Sequence, residues 1–124
     1  MAHEESVNLE GTFLPVTTPF DPVTEDVDYA AFGANLRRWF GSPIRGILIA
    51  GSTGESVFLD EGERSKLIEE ACAVIPDEAL VIAGTGSEAT RHTIQLTQQA
   101  ADAGADAVLV SPPAYFKGAM TQET

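Results

Sequence analysis

The chain holds 124 residues, with seven Lys plus Arg against nineteen Asp plus Glu and a formal charge of −12, a length that suits one domain. That balance excludes a nucleic-acid partner, whose phosphates are bound through Lys and Arg, and the single cysteine, Cys72, excludes an internal disulfide and a cysteine-rich metal site. No apolar run approaches the ~20 residues that span a bilayer, the start Met1-Ala2-His3-Glu4-Glu5 is acidic where a secretory signal is basic, and 44% apolar content is enough for a packed core; what these exclusions leave is the expectation of a soluble, cytoplasmic, acidic α/β domain.

Residues 1–8 read as a flexible tail. Thr12-Phe13-Leu14-Pro15-Val16 is the first strand candidate, weakened by Pro15, which has no amide to donate. Tyr29, Phe32, Leu36, Trp39 and Phe40 follow at helical spacing, with Arg37 and Arg38 on the other side. Ile47–Ala50 is a continuous apolar run, the pattern of a parallel strand covered on both faces. Asp60 with Glu63 three residues on predicts a capping box, and Leu67, Ile68, Ala71, Cys72 and Ile75 a buried stripe that ends at Pro76. Leu80–Ala83 is the third strand. A helix over roughly 89–103 follows, with Ile94, Leu96, Ala100 and Ala103 inward and Gly104 as its stop. Ala107–Val110 is the fourth strand, Pro112–Gly118 a loop, and Thr121–Thr124 the cap and first turn of another helix. The order β-α-β-α-β-α-β, at about thirty residues per unit, predicts right-handed crossovers and a parallel sheet.

Ligands of parallel α/β sheets sit at the carboxyl ends of the strands. Those ends carry Thr17 and Thr18, Ser52 and Thr53, Thr85 and Ser87, and Ser111, with Gly51, Gly54, Gly84 and Gly86 expected to let backbone amides approach a ligand. Neutral donors of this kind solvate a small carboxylate or a carbonyl oxygen. Strand-to-helix turns also use Ser, Thr and Gly for their own geometry, so one loop decides nothing and four in agreement weigh the two readings evenly. Gly51-Ser52-Thr53-Gly54 lacks the Lys of a P-loop, and Gly84-Thr85-Gly86 lacks the third glycine of a dinucleotide fingerprint. Tyr115 can move a proton if other hydroxyls such as Ser52 orient it, a role that weighs equally with loop packing. Glu55 reads as a helix-start charge, Lys66 as solvated, and Lys117 as too mobile for Schiff-base work. Cys72 reads as a buried small residue. His3 and His92 stand alone, so no metal is expected.

Taken in order, Thr17-Thr18-Pro19-Phe20, Gly51-Ser52-Thr53-Gly54-Glu55-Ser56, Ala83-Gly84-Thr85-Gly86-Ser87 and Val110-Ser111-Pro112-Pro113 with Tyr115 closely resemble the dihydrodipicolinate synthase/N-acetylneuraminate lyase family. The resemblance implies the N-terminal half, about four βα units, of a (β/α)₈ TIM barrel. It implies a class I lyase or aldolase that forms a Schiff base with pyruvate or another 2-oxo acid and needs no cofactor. By the family pattern, Gly51, Ser52, Thr53 and Gly54 hold the substrate carboxylate and Ser52 joins a proton relay. Tyr115 completes that relay in a neighbouring subunit, which implies a homo-oligomer, dimer or tetramer. Tyr115-Phe116-Lys117-Gly118 with Met120 resembles the 4-hydroxy-2-oxoglutarate aldolase branch, while Ala114 and Phe116 depart from the commoner residues at their positions. The family's catalytic lysine lies on the sixth strand and neither Lys66 nor Lys117 matches it, so the 124 residues alone are expected to be a truncated, inactive barrel. The rival expectation is a non-catalytic half-barrel that binds or assembles. Half a barrel leaves two sheet edges and an apolar inner face open; uncovering ~400 Å² there forgoes roughly 10 kcal/mol.

Overall fold

The computed structural model describes residues 6–123, and His3 lies outside them. Four strands alternate with three helices. They are β1 (Phe13–Pro15), α1 (Tyr29–Trp39), β2 (Gly46–Ile49), α2 (Glu61–Val74), β3 (Leu80–Gly84), α3 (Thr90–Ala103) and β4 (Ala107–Leu109). One-turn 3₁₀ helices at Ser56–Phe58 and Lys117–Ala119 sit in the loops after β2 and β4. The strands form a single parallel sheet in the order β1-β2-β3-β4. Each crossover helix therefore joins neighbouring strands, as in successive units of a barrel.

The helix signals act as their chemistry requires. Asp60 accepts the Glu63 amide at 2.7 Å while Glu63 accepts the Asp60 amide at 2.9 Å, closing the capping box. Asp28 caps α1 through the Ala31 amide. Gly104 ends α3 at φ +115, a backbone state that side chains disfavour. At the far end, the Thr121 hydroxyl accepts the Glu123 amide at 3.3 Å.

All three helices lie on one side of the sheet. Ile47, Ile49, Val81 and Ala83 point toward them and are buried with Phe32, Leu36, Leu67, Ile68, Ala71 and Ala100. The intervening residues Leu48 and Ile82 are only part-buried. A strand pattern expected to be covered on both faces is thus covered on one, because the described residues supply helices but no opposing strands. Two helix assignments also change. Ile94 is 53% exposed: it lies two residues from Leu96, and positions i and i+2 cannot share a helix face. Cys72 is exposed at the edge of the α2 stripe, its thiol directed at the Gly104 carbonyl at 3.6 Å. Partial burial and nearby Asp106 push that thiol's pKa up.

The opposite end of the sheet is clamped by side chains. Arg45 donates to the Glu78 carbonyl at 2.6 Å and reaches that of Asn8 at 3.5 Å. Asp106 accepts the Val81 amide at 2.8 Å. Asn8, expected in a flexible tail, is therefore in contact with the sheet's amino end.

Candidate active site

A cleft of about 430 Å³ opens at the carboxyl ends of the strands. Ser52 and Thr53 after β2, Ser87 after β3 and Ser111 after β4 all line it. The loop after β2 is bracketed by two non-glycine residues in the left-handed region, Ala50 at φ 55 and Glu55 at φ 56. Such a conformation costs about 1–2 kcal/mol per residue and turns the chain sharply enough to present Gly51, Ser52 and Thr53 to the cleft. Glu55 stands exposed, just before the 3₁₀ turn, with no capping bond from its side chain.

Glycines in these loops serve close packing of backbone on backbone. A Cβ at Gly84 would collide with the Ala50 carbonyl, and one at Gly86 would come within 2.7 Å of the Ser111 amide and carbonyl. The loops after β2, β3 and β4 are thereby locked side by side. Gly51 lines the cleft. Gly54 does not: it is buried, closed in by the Val16 carbonyl and the Ala50 amide.

Two of the expected rim hydroxyls turn away from the cleft. Thr18 is 5% exposed and donates to the Gly54 carbonyl at 2.7 Å. Thr85 is 2% exposed and pairs with the Thr97 hydroxyl at 2.9 Å. Both follow the period of their strands, Thr18 after Val16 and Thr85 after Ala83, and so face the helices. They anchor the loops from behind. Ser87 does line the cleft while its hydroxyl closes a local turn on Ala89.

Tyr115 is 80% exposed and stacks edge-on against Phe116, with ring centroids 4.8 Å apart. It does not line the cleft, so within this chain it is not brought to Ser52. The chain's two lysines are also outside. Lys66 lies over the Tyr29 ring at 4.2 Å, and Lys117 is exposed on its own turn.

Three charged residues matter that the sequence patterns did not single out. Arg64, in the first turn of α2, lines the cleft and donates to the Ser56 carbonyl at 2.7 Å and the Gly84 carbonyl at 3.2 Å. Burial lowers its guanidinium pKa. The readable signal was its position: Arg64, Leu67, Ile68 and Ala71 share one helix stripe. Glu88 accepts the amides of Ala114 and Tyr115 at 2.9 and 3.1 Å, which holds its carboxyl below the usual range and ties the β4 loop to the β3 loop. Glu61 binds Gln99 and His92, at 3.1 and 2.8 Å, and these bonds lower its pKa. His92, expected to stand alone, is therefore a bridge between α2 and α3. Among the described residues no group of three His, Cys, Asp or Glu could hold a metal ion, and no helix is long and apolar enough to cross a membrane.

Residues 8–123 match the sequence pattern of the dihydrodipicolinate synthetase family. The chain belongs to this family. It is 38% identical over 109 residues to a 4-hydroxy-tetrahydrodipicolinate synthase from Methanococcus aeolicus, covering 88% of this chain and 37% of that protein. The Bdellovibrio bacteriovorus synthase is 36% identical over 110 residues, again covering 37% of its length. The solved Methylacidiphilum fumariolicum SolV synthase superposes with a TM-score of 0.84 at 31% identity, covering 94% of this chain and 37% of that one. A Bacillus anthracis dihydrodipicolinate synthase does so with 0.81 at 34%, covering 91% and 38%. The chain thus spans rather more than a third of its relatives, not the half its strand count suggested, and its four strands and three helices match part of their barrels. This likeness does not separate the synthases from the 4-hydroxy-2-oxoglutarate aldolase branch.

Proposed function

We infer that this chain carries the carboxylate-gripping rim of a Schiff-base lyase or aldolase that acts on pyruvate or a related 2-oxo acid. Ser52 and Thr53 bind the substrate carboxylate with hydroxyl and backbone donors, and Ser52 also passes a proton. The observation that supports this reading is the convergence of Ser52, Thr53, Ser87 and Ser111 on one cleft. Arg64 adds a positive charge to that cleft, and its two bonds to backbone carbonyls hold the Ser56 and Gly84 segments in place. Tyr115, exposed on the tethered β4 loop, is free to serve a neighbouring subunit's relay. Because Lys66 and Lys117 both stand outside the cleft, these 124 residues supply the anion grip and not the amine.

Titrating ¹⁵N-labelled chain with pyruvate tests the grip: amide shifts should be largest at Gly51, Ser52 and Thr53. Ser52→Ala should weaken binding about tenfold or more, the usual worth of a hydrogen bond to a charged group. Shifts confined to residues outside the cleft would overturn the reading. Borohydride added with pyruvate should leave the chain's mass unchanged, whereas a stoichiometric adduct on Lys66 or Lys117 would show that the amine is in this chain. The binding-only alternative draws on the same lysine placement; it predicts that pyruvate binds equally well after Tyr115→Phe in every assembly the chain forms.

A further inference from the structure

We propose that one water molecule is built into the interior between α2 and α3, bridging the Gln99 carbonyl oxygen to the Arg64 guanidinium, and that Gln99 thereby acts as a positioning residue for the rim. The cavity that holds it measures about 10 Å³, the room of a single water and too little for a larger ligand. Its walls come from Ala50 after β2 and from α2, β3 and α3, so every residue that shapes it is described. Ile68, Ala83, Leu96 and Ala100 make most of that wall apolar. Arg64, Gln99 and Thr85 are the polar groups with a part in the bridge.

The hydrogen-bond inventory selects the occupant. Gln99 Nε2 donates to Glu61 Oε2 at 3.1 Å, and an ionised carboxylate only accepts, so the amide nitrogen is the atom on that side. The Gln99 carbonyl oxygen is thereby turned inward, where it is buried and has no hydrogen-bond partner among the described residues. Native folds rarely leave a buried acceptor without a donor. Arg64 lies one helical turn from Glu61 and lines the same cavity. Its Nη1 and Nη2 groups each donate to one backbone carbonyl, of Gly84 and Ser56, and its other N–H groups remain to be satisfied in a part-buried setting. The Thr85 hydroxyl, paired with Thr97 at 2.9 Å, keeps a further lone pair. A cation is repelled here by Arg64 and an anion by the Gln99 carbonyl. Water accepts from the first and donates to the second, and Thr85 completes the two to four partners that a buried water needs. The bridge gives Gln99 a hold on the rim, because Arg64 is the side chain that pins the Ser56 and Gly84 segments.

A crystal structure at a resolution that shows ordered solvent, paired with NMR of one variant, tests this arrangement. The expected density is a single solvent peak within about 3.2 Å of both the Gln99 carbonyl oxygen and an Arg64 nitrogen. Gln99→Met keeps the side chain's length and removes the acceptor. It should abolish the peak, shift the Arg64 side-chain ¹⁵N signals, and move the Ser56 and Gly84 carbonyl ¹³C signals, although Gln99 touches neither carbonyl. Gln98→Met, on the exposed side of α3, should move none of them. A merely structural Gln99 would lower the melting temperature and leave the two carbonyl signals in place. A dry cavity, a direct bond from Arg64 to the Gln99 carbonyl, or carbonyl signals indifferent to Gln99→Met would each overturn the proposal; if that variant does not fold, the solvent density of the unaltered protein decides alone. None of these readouts involves pyruvate, so the bridge and the carboxylate grip stand or fall separately.

Discussion

The two faces of the sheet are made from the same four strands yet have opposite fates. On one, Ile47, Ile49, Val81 and Ala83 meet three helices and are sealed. On the other, Leu48, Ile82 and Leu109 remain partly in solvent. Hydrophobicity alone does not distinguish these sets; only the strand period does. A parallel strand is written for two covered faces, and its sequence carries the second covering even where the described residues do not supply it.

The largest expected effect breaks the sealed face. Phe32 is fully buried between helix and sheet, so Phe32→Ala should cost about 3–5 kcal/mol and leave little folded chain. Ile82→Ala should cost less than half as much, because its site already admits water. Urea titration of both variants measures the gap. Equal losses would mean that the open face is packed after all.

Next come the paired and unpaired hydroxyls. Thr85→Val removes the partner of the part-buried Thr97 hydroxyl and should cost about 1 kcal/mol, the usual net worth of a hydrogen bond. Ser52→Ala should stay within about 0.5 kcal/mol, as exposed substitutions do, while it lowers affinity for pyruvate. Thermal melts with and without pyruvate separate the two. If Ser52→Ala destabilises as much as Thr85→Val, the Ser52 hydroxyl belongs to the scaffold and not to the rim.

These hydroxyls also mark what the sequence can say. Element order, the Asp60–Glu63 box and the Gly104 stop were all readable, since each depends on residues within a few positions of one another. The rim was readable only as a set of loops. Which hydroxyl faces the cleft depends on strand parity carried into the turn, and applying the period of two to Val16–Thr18 and Val81–Ala83–Thr85 would have turned Thr18 and Thr85 toward the helices. The inward place of Arg64 was readable from its helix stripe, but its partners, like those of Glu88 and of the His92–Glu61 bridge, were not readable from spacing, because they lie 8 to 31 positions away. Tyr115 is the converse case: a motif identified it, but its surroundings place it in solvent, where a single chain gives it no substrate to act on.

A smaller effect compares the two ends of α2. Asp60→Ala removes the cap at the rim end and should cost about 1 kcal/mol. At the other end, Ile75 caps without a side-chain bond, so Ile75→Val should fall near the low end for methyl deletion, about 0.5–1.5 kcal/mol. Because α2 also carries Arg64, Asp60→Ala should broaden the Ser56 and Gly84 amide signals, and Ile75→Val should not.

The smallest effect is local and depends on pH. Glu88 holds two amides of the β4 loop, and those bonds keep its carboxyl below the usual range. A carboxyl whose folded pKa is lowered gives its full contribution above the unfolded value, and that contribution is lost as pH falls through the folded one. The tether should therefore be intact at neutral pH and released only at a pH below that at which an ordinary glutamate protonates. Glu88 is exposed, so global stability should hardly register the release. The Ala114 and Tyr115 amide resonances should register it directly, moving together with a midpoint below that of a free glutamate. In Glu88→Gln that shared titration should vanish, with Ala114 and Tyr115 already at their acid-limit positions at pH 7. A midpoint at or above the free value would mean that the carboxylate does not hold the loop, and the position of Tyr115 would then be set by Pro112 and Pro113 alone.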